Sequence, residues 1–264
     1  MSDAPHLLLE TADGVATLTL NRPERLNAMA PESLDLFVRL LDRVRDEGQA
    51  RVLLLTGAGR AFCSGADLAA RDPVTGGIPA DRGEGLERGH NLVVDRLRYL
   101  PVPVVCAVNG AAAGGGCGYA LAGDIVIAAR SAYFLQPFAN IGLVPDVGAT
   151  WLLPRLVGKA RATAMMMLGE RVPADTAAEW GMIWQVVDDD ALMETALAIA
   201  RTLAAGPTVA YGLMRQGIAD ALESSLTQTL AMERRHQRIA GATADHQEGV
   251  AAFLEKRSPR FEGR

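Results

Sequence analysis

The stretch that most constrains this chain runs over residues 101–124, PVPVVCAVNGAAAGGGCGYALAGD. An apolar run from Val102 to Val108 has the length and composition of a buried strand, and Asn109-Gly110 ends it. Three consecutive glycines, Gly114, Gly115 and Gly116, follow, and residues 119–122 read as helix. A strand that stops at a glycine cluster and restarts as a helix leaves backbone N–H groups at a helix N-terminus. Those donors hold an anion, or an oxygen that becomes negative during a reaction.

A second turn of this kind lies upstream. Residues 52–56 form a continuous apolar strand, and GAGRAFCSGADL follows at 57–68. Glycine permits positive φ and close approach of backbone to a ligand. Ser64-Gly65-Ala66-Asp67 and the triple glycine are therefore both plausible amide donors. Two convergent N–H groups are what a thioester oxygen needs when the adjacent carbon loses a proton, so the Gly115 turn reads as half of an oxyanion hole. The plain alternative is two tight turns that pack strand against helix, and the glycines alone do not choose. Nucleotide fingerprints are absent: there is no G-x-G-x-x-G from Gly110 onward, and Gly116 stands where a phosphate loop needs lysine. No G-x-S-x-G surrounds Ser64.

The remaining chain alternates strand and helix signals up to about residue 150 and then turns helical. Apolar runs at 7–10 and 15–20 flank Ala12-Asp13-Gly14, a hairpin signal. Leu34, Val38, Leu41 and Val44 recur at helical spacing between Pro31 and Glu47. Residues 71–85, rich in Gly, Pro and Asp, read as a mobile loop; Leu86, His90, Val93, Leu97 and Leu100 mark a helix face. Short strands are expected at 124–128 and 133–135, and a short helix stopped by Pro154. After Lys159 the expectation is helix almost to the end, with no internal repeat. This gives an α/β core over residues 1–200 and a helical region over 201–264.

Composition removes several function classes. A net charge of −5 offers no footprint for nucleic acid. No apolar run approaches the ~18 residues of a membrane span, and the N-terminus lacks the charged and apolar regions of a signal peptide. Cys63, Cys106 and Cys117 are odd in number and lack metal-ligand spacing, so no disulfide framework or metal site is expected. The cytoplasm is the expected compartment. Cys63 and Cys117 read as small packing residues. His6, His90, His236 and His246 share no spacing and read as surface or partly packed. Asp124, between helix and strand, reads as structural.

Asp146 is the carboxylate to single out. It sits in Leu143-Val144-Pro145-Asp146-Val147, an apolar context that suits a base able to return its proton. The alternative is a helix N-cap before Val147-Gly148-Ala149-Thr150.

Taken together, AFCSGADL at 61–68, NGAAAGGG at 109–116 and GLVPD at 142–146 resemble the enoyl-CoA hydratase/isomerase (crotonase) superfamily. The resemblance runs from NRPERLNA at 21–28 to FLEKR at 253–257 and implies an α/β fold, a spiral of ββα repeats with a C-terminal helical trimerisation region. It implies an acyl-CoA thioester as substrate, coenzyme A arriving as part of that substrate with no separate cofactor, and assembly as a homotrimer or dimer of trimers. By resemblance, the Ala66 and Gly115 amides form the oxyanion hole. Arg25, Leu26, Ala66, Asp67, Leu68 and Ala69 line the coenzyme path, Phe138 lies at the acyl pocket, and Phe253 and Lys256 reach the coenzyme, from a neighbouring subunit in some arrangements. Tyr133, Trp151 and the 71–85 segment are further candidates for shaping the pocket.

The departures from the pattern carry as much information. Hydratases of the family place glutamates at the positions held here by Gly118 and Phe138, and neither residue transfers a proton. Asp146 stands where dienoyl-CoA isomerases of the family place an aspartate. The segment through Trp151 and Arg155 resembles the 1,2-epoxyphenylacetyl-CoA isomerase subgroup of phenylacetate degradation. The resemblance thus implies an isomerase with Asp146 as general acid/base. The competing expectations are a hydratase using Asp72, Glu84 or Glu87, and an acyl-CoA-binding protein without chemistry.

Overall fold

The structure, a computed structural model, describes residues 4–68 and 81–264. Asp13 and Gly14 take φ of 52° and 75°. That left-handed pair closes a two-residue hairpin between β1 (Leu7–Ala12) and β2 (Val15–Leu20), in register from Leu7↔Leu20 to Ala12↔Val15. Helix α1 (Pro31–Asp46) starts on its proline and buries Leu34, Leu41 and Val44 of the face that helical spacing predicts, with Val38 half-buried and Phe37 buried beside them.

The spiral then begins. Strand β3 (Val52–Gly57) leads to β4 (Ala61–Cys63), and a helical run follows at 82–99, made of α2 (Arg82–Gly85), a π-helical turn (Leu86–His90) and α3 (Asn91–Tyr99). Strands β5 (Val104–Val108) and β6 (Ala111–Ala113) lead into α4 (Gly115–Leu121). Strands β7 (Ile125–Ala129) and β8 (Tyr133–Leu135) lead, after a short 3-10 turn (Pro137–Ile141), into α5 (Ala149–Leu168). Each repeat places its first strand in one sheet and its second in another. The larger sheet has order β1-β2-β3-β5-β7-β10 and the smaller β4-β6-β8-β9. The larger sheet is parallel from β2 onward, and β3 and β5 are buried along nearly their whole length.

Past α5 the chain is less purely helical than its sequence suggests. Two short strands return: β9 (Val172–Pro173) joins the small sheet antiparallel to β8, and β10 (Gln185–Val187) completes the large sheet beside β7. Strands of two or three residues are too short for an alternating pattern to declare them. Helix α6 (Ala174–Glu179) lies between them. Helix α7 (Leu192–Ala204) packs on β3 and β5 with Ala196, Ala200 and Ala204 buried. A division at residue 200 would cut this helix; the break in the chain comes at Ala205-Gly206-Pro207, ahead of α8 (Thr208–Ala221), α9 (Leu226–Gly241) and α10 (Ala244–Glu255).

Three further expectations are corrected. Pro154 does not stop its helix: α5 runs through it and breaks at Gly158, whose φ of 77° and ψ of 161° are not helical. Residues 82–85, expected as loop, are helical, while 71–80 lie outside the described residues. The spiral is a structural repeat with no counterpart in the sequence, because what recurs is the backbone path and not its side chains.

Candidate functional site

The two glycine turns meet. Gly65 has φ of 93°, and a Cβ built on it would stand 3.0 Å from the Ala113 carbonyl oxygen and 3.2 Å from the Gly115 nitrogen. A Cβ on Gly116 would fall 2.1 Å from the Cys63 carbonyl oxygen. Helix α4 therefore starts at Gly115, four residues earlier than its composition suggests, and presses its first turn onto the end of β4. Each helical glycine costs about 1 kcal/mol relative to alanine. That cost is accepted because backbone occupies the space a side chain would need.

Each turn presents an amide away from its own secondary structure. The Met29 N–H donates to the Gly65 carbonyl (2.7 Å) and the Asp67 N–H to the Met29 carbonyl (2.9 Å), a parallel bridge that brackets Ala66. The Ala66 N–H points to the opposite side. Gly115 is the first residue of α4, so its N–H has no acceptor within the helix. Among the described residues neither amide has an acceptor in the fold. Two adjacent donors of this kind can receive an oxygen that gains negative charge.

The Ala66 side is built by the 21–28 segment. Leu26 and Asn27 both take positive φ, 51° and 56°. The buried Asn27 amide nitrogen lies 2.9, 2.8 and 3.1 Å from the carbonyls of Ala58, Ala61 and Phe62, and its oxygen accepts from the Arg22 N–H at 2.8 Å. The Arg22 guanidinium donates to the Ala28 carbonyl and to Asp67 Oδ2, at 2.7 and 3.0 Å. The Ser64 N–H donates to the Leu26 carbonyl at 3.0 Å. Asn27 and Arg22 were not singled out from sequence; an Asn with positive φ is a local signal, but its partners lie more than thirty residues away.

Asp146 does not cap a helix. Helix α5 begins at Ala149, its N-cap is Gly148 with φ of 75°, and no side chain accepts there. The Ala149 N–H donates instead to the Asp146 main-chain carbonyl at 3.0 Å. Between them Val147 takes φ of 52°, an uncommon conformation for a β-branched residue that costs on the order of 1–3 kcal/mol. Its side chain is 1% exposed. The bend lays Asp146 against the start of α4: Oδ1 is withdrawn from solvent and stands 3.6 Å from where a Gly115 Cβ would be. Gly118 faces the same bend, for a Cβ there would meet the Val147 carbonyl oxygen at 2.3 Å.

The other candidate residues fall into groups. Phe138, 7% exposed, packs its ring 3.6 Å from where a Gly114 Cβ would be, beside the amide pair. Leu26 is half-buried, while Arg25 and Leu68 are exposed near the Ala66 turn. Asp67 is buried, with its N–H and Oδ2 engaged by the scaffold. Ala69 and Asp72 lie outside the described residues. Glu84 pairs with Arg88 and Glu87 is exposed. Phe253, 82% exposed, and Lys256 lie at the end of α10, and among the described residues no hydrogen bond or ring contact joins either to the two turns. Trp151 is flanked by the guanidiniums of Arg98 and Arg155, 4.2 and 4.1 Å from its ring, and Tyr133 by Arg171 at 4.4 Å. A cleft of about 660 Å³ between α3, α5 and α8 is lined by Gly148 and Trp151 but not by Ala66, Gly115 or Asp146, so it is not where the amides converge.

Burial decides the roles of the remaining polar groups. Cys63 and Cys117 are buried and unbridged, and burial pushes both thiols up to about 12, which removes them as nucleophiles at neutral pH. Gln136 is wholly buried, with its side chain beside the Cys117 thiol. His90 is buried, more fully than the surface or partly packed reading expects, and its Nδ1 lies 2.5 Å from the Tyr119 hydroxyl. Burial first, then the charges of Cys63 and Asp146, pushes the Tyr119 hydroxyl well above its usual range. Among the described residues no cluster of His, Cys, Asp and Glu could hold a metal, and no helix is long and apolar enough to cross a membrane.

The family model for enoyl-CoA hydratase/isomerase matches residues 10–264. The chain belongs to the enoyl-CoA hydratase/isomerase family. It is 52% identical to the 1,2-epoxyphenylacetyl-CoA isomerase of Escherichia coli (strain K12), over 98% of each chain. It is 44% identical to a probable enoyl-CoA hydratase of Rhodobacter capsulatus, over 97% of each. Among solved structures, a putative enoyl-CoA hydratase/isomerase from Mycobacterium abscessus superposes with a TM-score of 0.93 at 36% identity, covering 98% of this chain and 100% of that one. The spiral described above is the crotonase fold. As an enzyme of the enoyl-CoA hydratase/isomerase family it fits an acyl-CoA thioester as substrate. Its relatives carry both isomerase and hydratase names.

Proposed function

We propose that the protein is an acyl-CoA isomerase that works through a thioester enolate. The observation that carries the reading is the carboxylate inventory at the start of α4: Asp146 Oδ1 lies beside Gly115, while Gly118 and Phe138 supply no ionisable group. One carboxylate suffices to carry a proton between two carbons. Water addition by the family's two-carboxylate route needs a second.

For a 3-enoyl thioester, Asp146 takes a proton from C2. The electron pair moves onto the thioester oxygen, which the Ala66 and Gly115 amides receive. The protonated Asp146 then delivers its proton at C4, and the double bond comes to lie between C2 and C3. No water is consumed and nothing is oxidised. Each amide contributes about 3–4 kcal/mol in sites of this type. The same enolate chemistry serves ring rearrangement of an aryl epoxide, and the 52% identical relative named for that activity supports including it. Coenzyme A enters as part of the substrate. Arg25, Leu26 and Leu68 flank its path from one side; Phe253 and Lys256 meet it where a neighbouring subunit brings them in. The reading includes assembly as a homotrimer or dimer of trimers, which exposed apolar side chains such as Met214, Ile218, Leu226 and Phe253 on the C-terminal helices support.

The deciding assay compares double-bond migration in 3-hexenoyl-CoA with water addition to crotonyl-CoA, for the wild type and Asp146→Asn. Migration should dominate and fall by roughly 10²–10⁴-fold in the variant. Turnover that survives in Asp146→Asn removes Asp146 from the mechanism; dominant hydration makes the enzyme a hydratase. Absence of deuterium wash-in at C2 of a bound acyl-CoA would make it a binding protein.

A further inference from the structure

A buried tyrosine and a buried histidine lie near Asp146, and the chemistry above uses neither. Tyr119 is on α4 and fully buried; His90 ends the π-helical turn Leu86–His90 and is 5% exposed. His90 Nδ1 and the Tyr119 hydroxyl oxygen are 2.5 Å apart, with the two rings stacked at 16°. A single π-helical turn inside a helical run often marks a functional position. Here residues 83–88 are exposed or half-buried, and the turn carries Gly89 and His90 inward. Gly89 permits the approach, since a Cβ there would stand 2.8 Å from Leu34 Cδ1 of α1. Burying an imidazole and a phenol costs more than burying apolar side chains of the same volume, and one hydrogen bond offsets only part of that.

Helix geometry links the pair to Asp146. At 100° per residue, Tyr119 sits about 40° around α4 from Gly115, one turn further along. A helical side chain leans toward the N-terminus of its helix, so Tyr119 lies over the turn that Gly115 begins. Asp146 Oδ1 is on that side, 3.6 Å from where a Gly115 Cβ would be. Cys63 lies on the other flank, its Cβ 2.8 Å from where a Gly116 Cβ would be, and the Phe37 ring of α1 packs 5.6 Å from the Tyr119 ring. Among the described residues, the ionisable groups around the hydroxyl are thus His90, Cys63 and Asp146. Burial keeps the Cys63 thiol protonated, and burial first, then Cys63 and Asp146, keeps the Tyr119 hydroxyl protonated. A neutral hydroxyl between an imidazole and a carboxylate has two proton orders. When Nδ1–H donates to the tyrosine oxygen, the O–H turns away from His90 and toward the negative charge, and the two dipoles reinforce each other.

We propose that Tyr119 is a positioning residue for Asp146, with its hydroxyl oriented by His90. The imidazole donates, the hydroxyl turns its positive end to the carboxylate, and Asp146 is held as a charged base facing the amide pair. No proton leaves the pair; it acts through its field and its fixed orientation. The inference deepens the isomerase reading and rests on Asp146 being its proton carrier.

The test follows kcat/KM for 3-hexenoyl-CoA against pH in Tyr119→Phe, His90→Leu, His90→Asn and the double variant Tyr119→Phe/His90→Leu, with Kd for butyryl-CoA as the control. The acid limb of the profile reports ionisation of Asp146. Tyr119→Phe keeps the ring and removes the hydroxyl, so the acid limb should move up by about one pH unit. Its kcat should fall about tenfold on the plateau, with Kd within about threefold because the amides of Ala66 and Gly115 stay in place. His90→Leu should give the same shift, and the double variant should match Tyr119→Phe rather than add to it. His90→Asn, which keeps an N–H close to the Nδ1 position, should recover most of what His90→Leu loses. An acid limb that stays or moves down in Tyr119→Phe overturns the proposal, and so do additive shifts or an asparagine no better than leucine. If either Tyr119→Phe or His90→Leu fails to fold, the remaining single variants decide alone by the same outcomes. Asp146→Asn separates the two readings: if it keeps turnover the isomerase mechanism fails, and if it is inactive while Tyr119→Phe has the wild-type profile, only the positioning role fails.

Discussion

The two ends of α4 each meet an aspartate, and the protein holds the two in opposite ways. At the C-terminal end Asp124 is fixed by its own carboxylate: Oδ2 accepts from the Val104 N–H at 2.6 Å and from Arg215 Nε at 2.5 Å. Arg215, from α8, also donates to the carbonyls of Leu97 and Leu100, so this aspartate clamps a C-terminal helix onto the core. Burial nevertheless holds the Asp124 carboxyl above its usual range. At the N-terminal end Asp146 is fixed by the backbone on its C-terminal side, through a strained valine packed into a groove made by two glycines. A carboxylate whose oxygens serve as structural acceptors is a poor proton carrier. In the isomerase reading proposed above, the group that carries the proton is the one placed by its main chain.

The largest expected contrast comes from neutralising each aspartate in turn. Asp146→Asn should cost roughly 10²–10⁴-fold in kcat for migration while barely moving the urea midpoint. Asp124→Asn should do the reverse. Equal effects on kcat at both positions would dissolve the distinction.

Asn27→Ala sharpens the contrast by attacking the Ala66 turn, which faces the N-terminal end of α4. It removes a buried amide with three acceptors in reach and puts alanine at φ of 56°. A loss of about 2–4 kcal/mol in urea unfolding is expected, with weaker acyl-CoA binding. Stability unchanged within error would mean that the turn is held by something else.

Asp124→Asn should cost about 1–3 kcal/mol, the pair being partly open to solvent, with kcat within about threefold of wild type. Hydrogen exchange of α8 amides gives the local reading: exchange should accelerate in α8 and not in α4.

The smallest effect is expected in the C-terminal tail, which neither aspartate controls. Glu248 accepts from Arg257 and from the Arg260 N–H, and those bonds hold its carboxyl down at about 2. A carboxyl depressed in the folded state gives stability that is complete above its unfolded value of about 4.5 and lost as pH falls toward 2. Tail amides near Arg260 should therefore lose exchange protection over that window while migration activity at neutral pH is untouched. Protection that persists to pH 2 would show that Glu248 does not anchor the tail.

Much of the architecture was legible in the residues. The Asp-Gly hairpin, the face of α1 and the buried runs of β3 and β5 follow from local turn chemistry and apolar period, which act over a few residues. The residues proposed for the site at 66, 115 and 146 stand out for the same reason, as glycine turns and a carboxylate in apolar surroundings. Less legible were β9 and β10, which exist because longer strands offer them an edge, and the helical start at Gly115, where propensity alone argues against helix. Asn27, the Arg22–Asp67 pair and the His90–Tyr119 contact join residues 29 to 45 positions apart and carry no local signal.

The sequence by itself determined which groups are present around α4: amides free to donate, one aspartate at 146, and no carboxylate at 118 or 138. Only the tertiary structure decided that Gly118 and the bend that carries Asp146 lie against each other. Twenty-eight residues separate them in the chain, and what couples them is excluded volume, since the Val147 main chain occupies the space a side chain at 118 would need. Composition and spacing report which atoms a chain owns; which two of them cannot share a place is settled when the backbone folds.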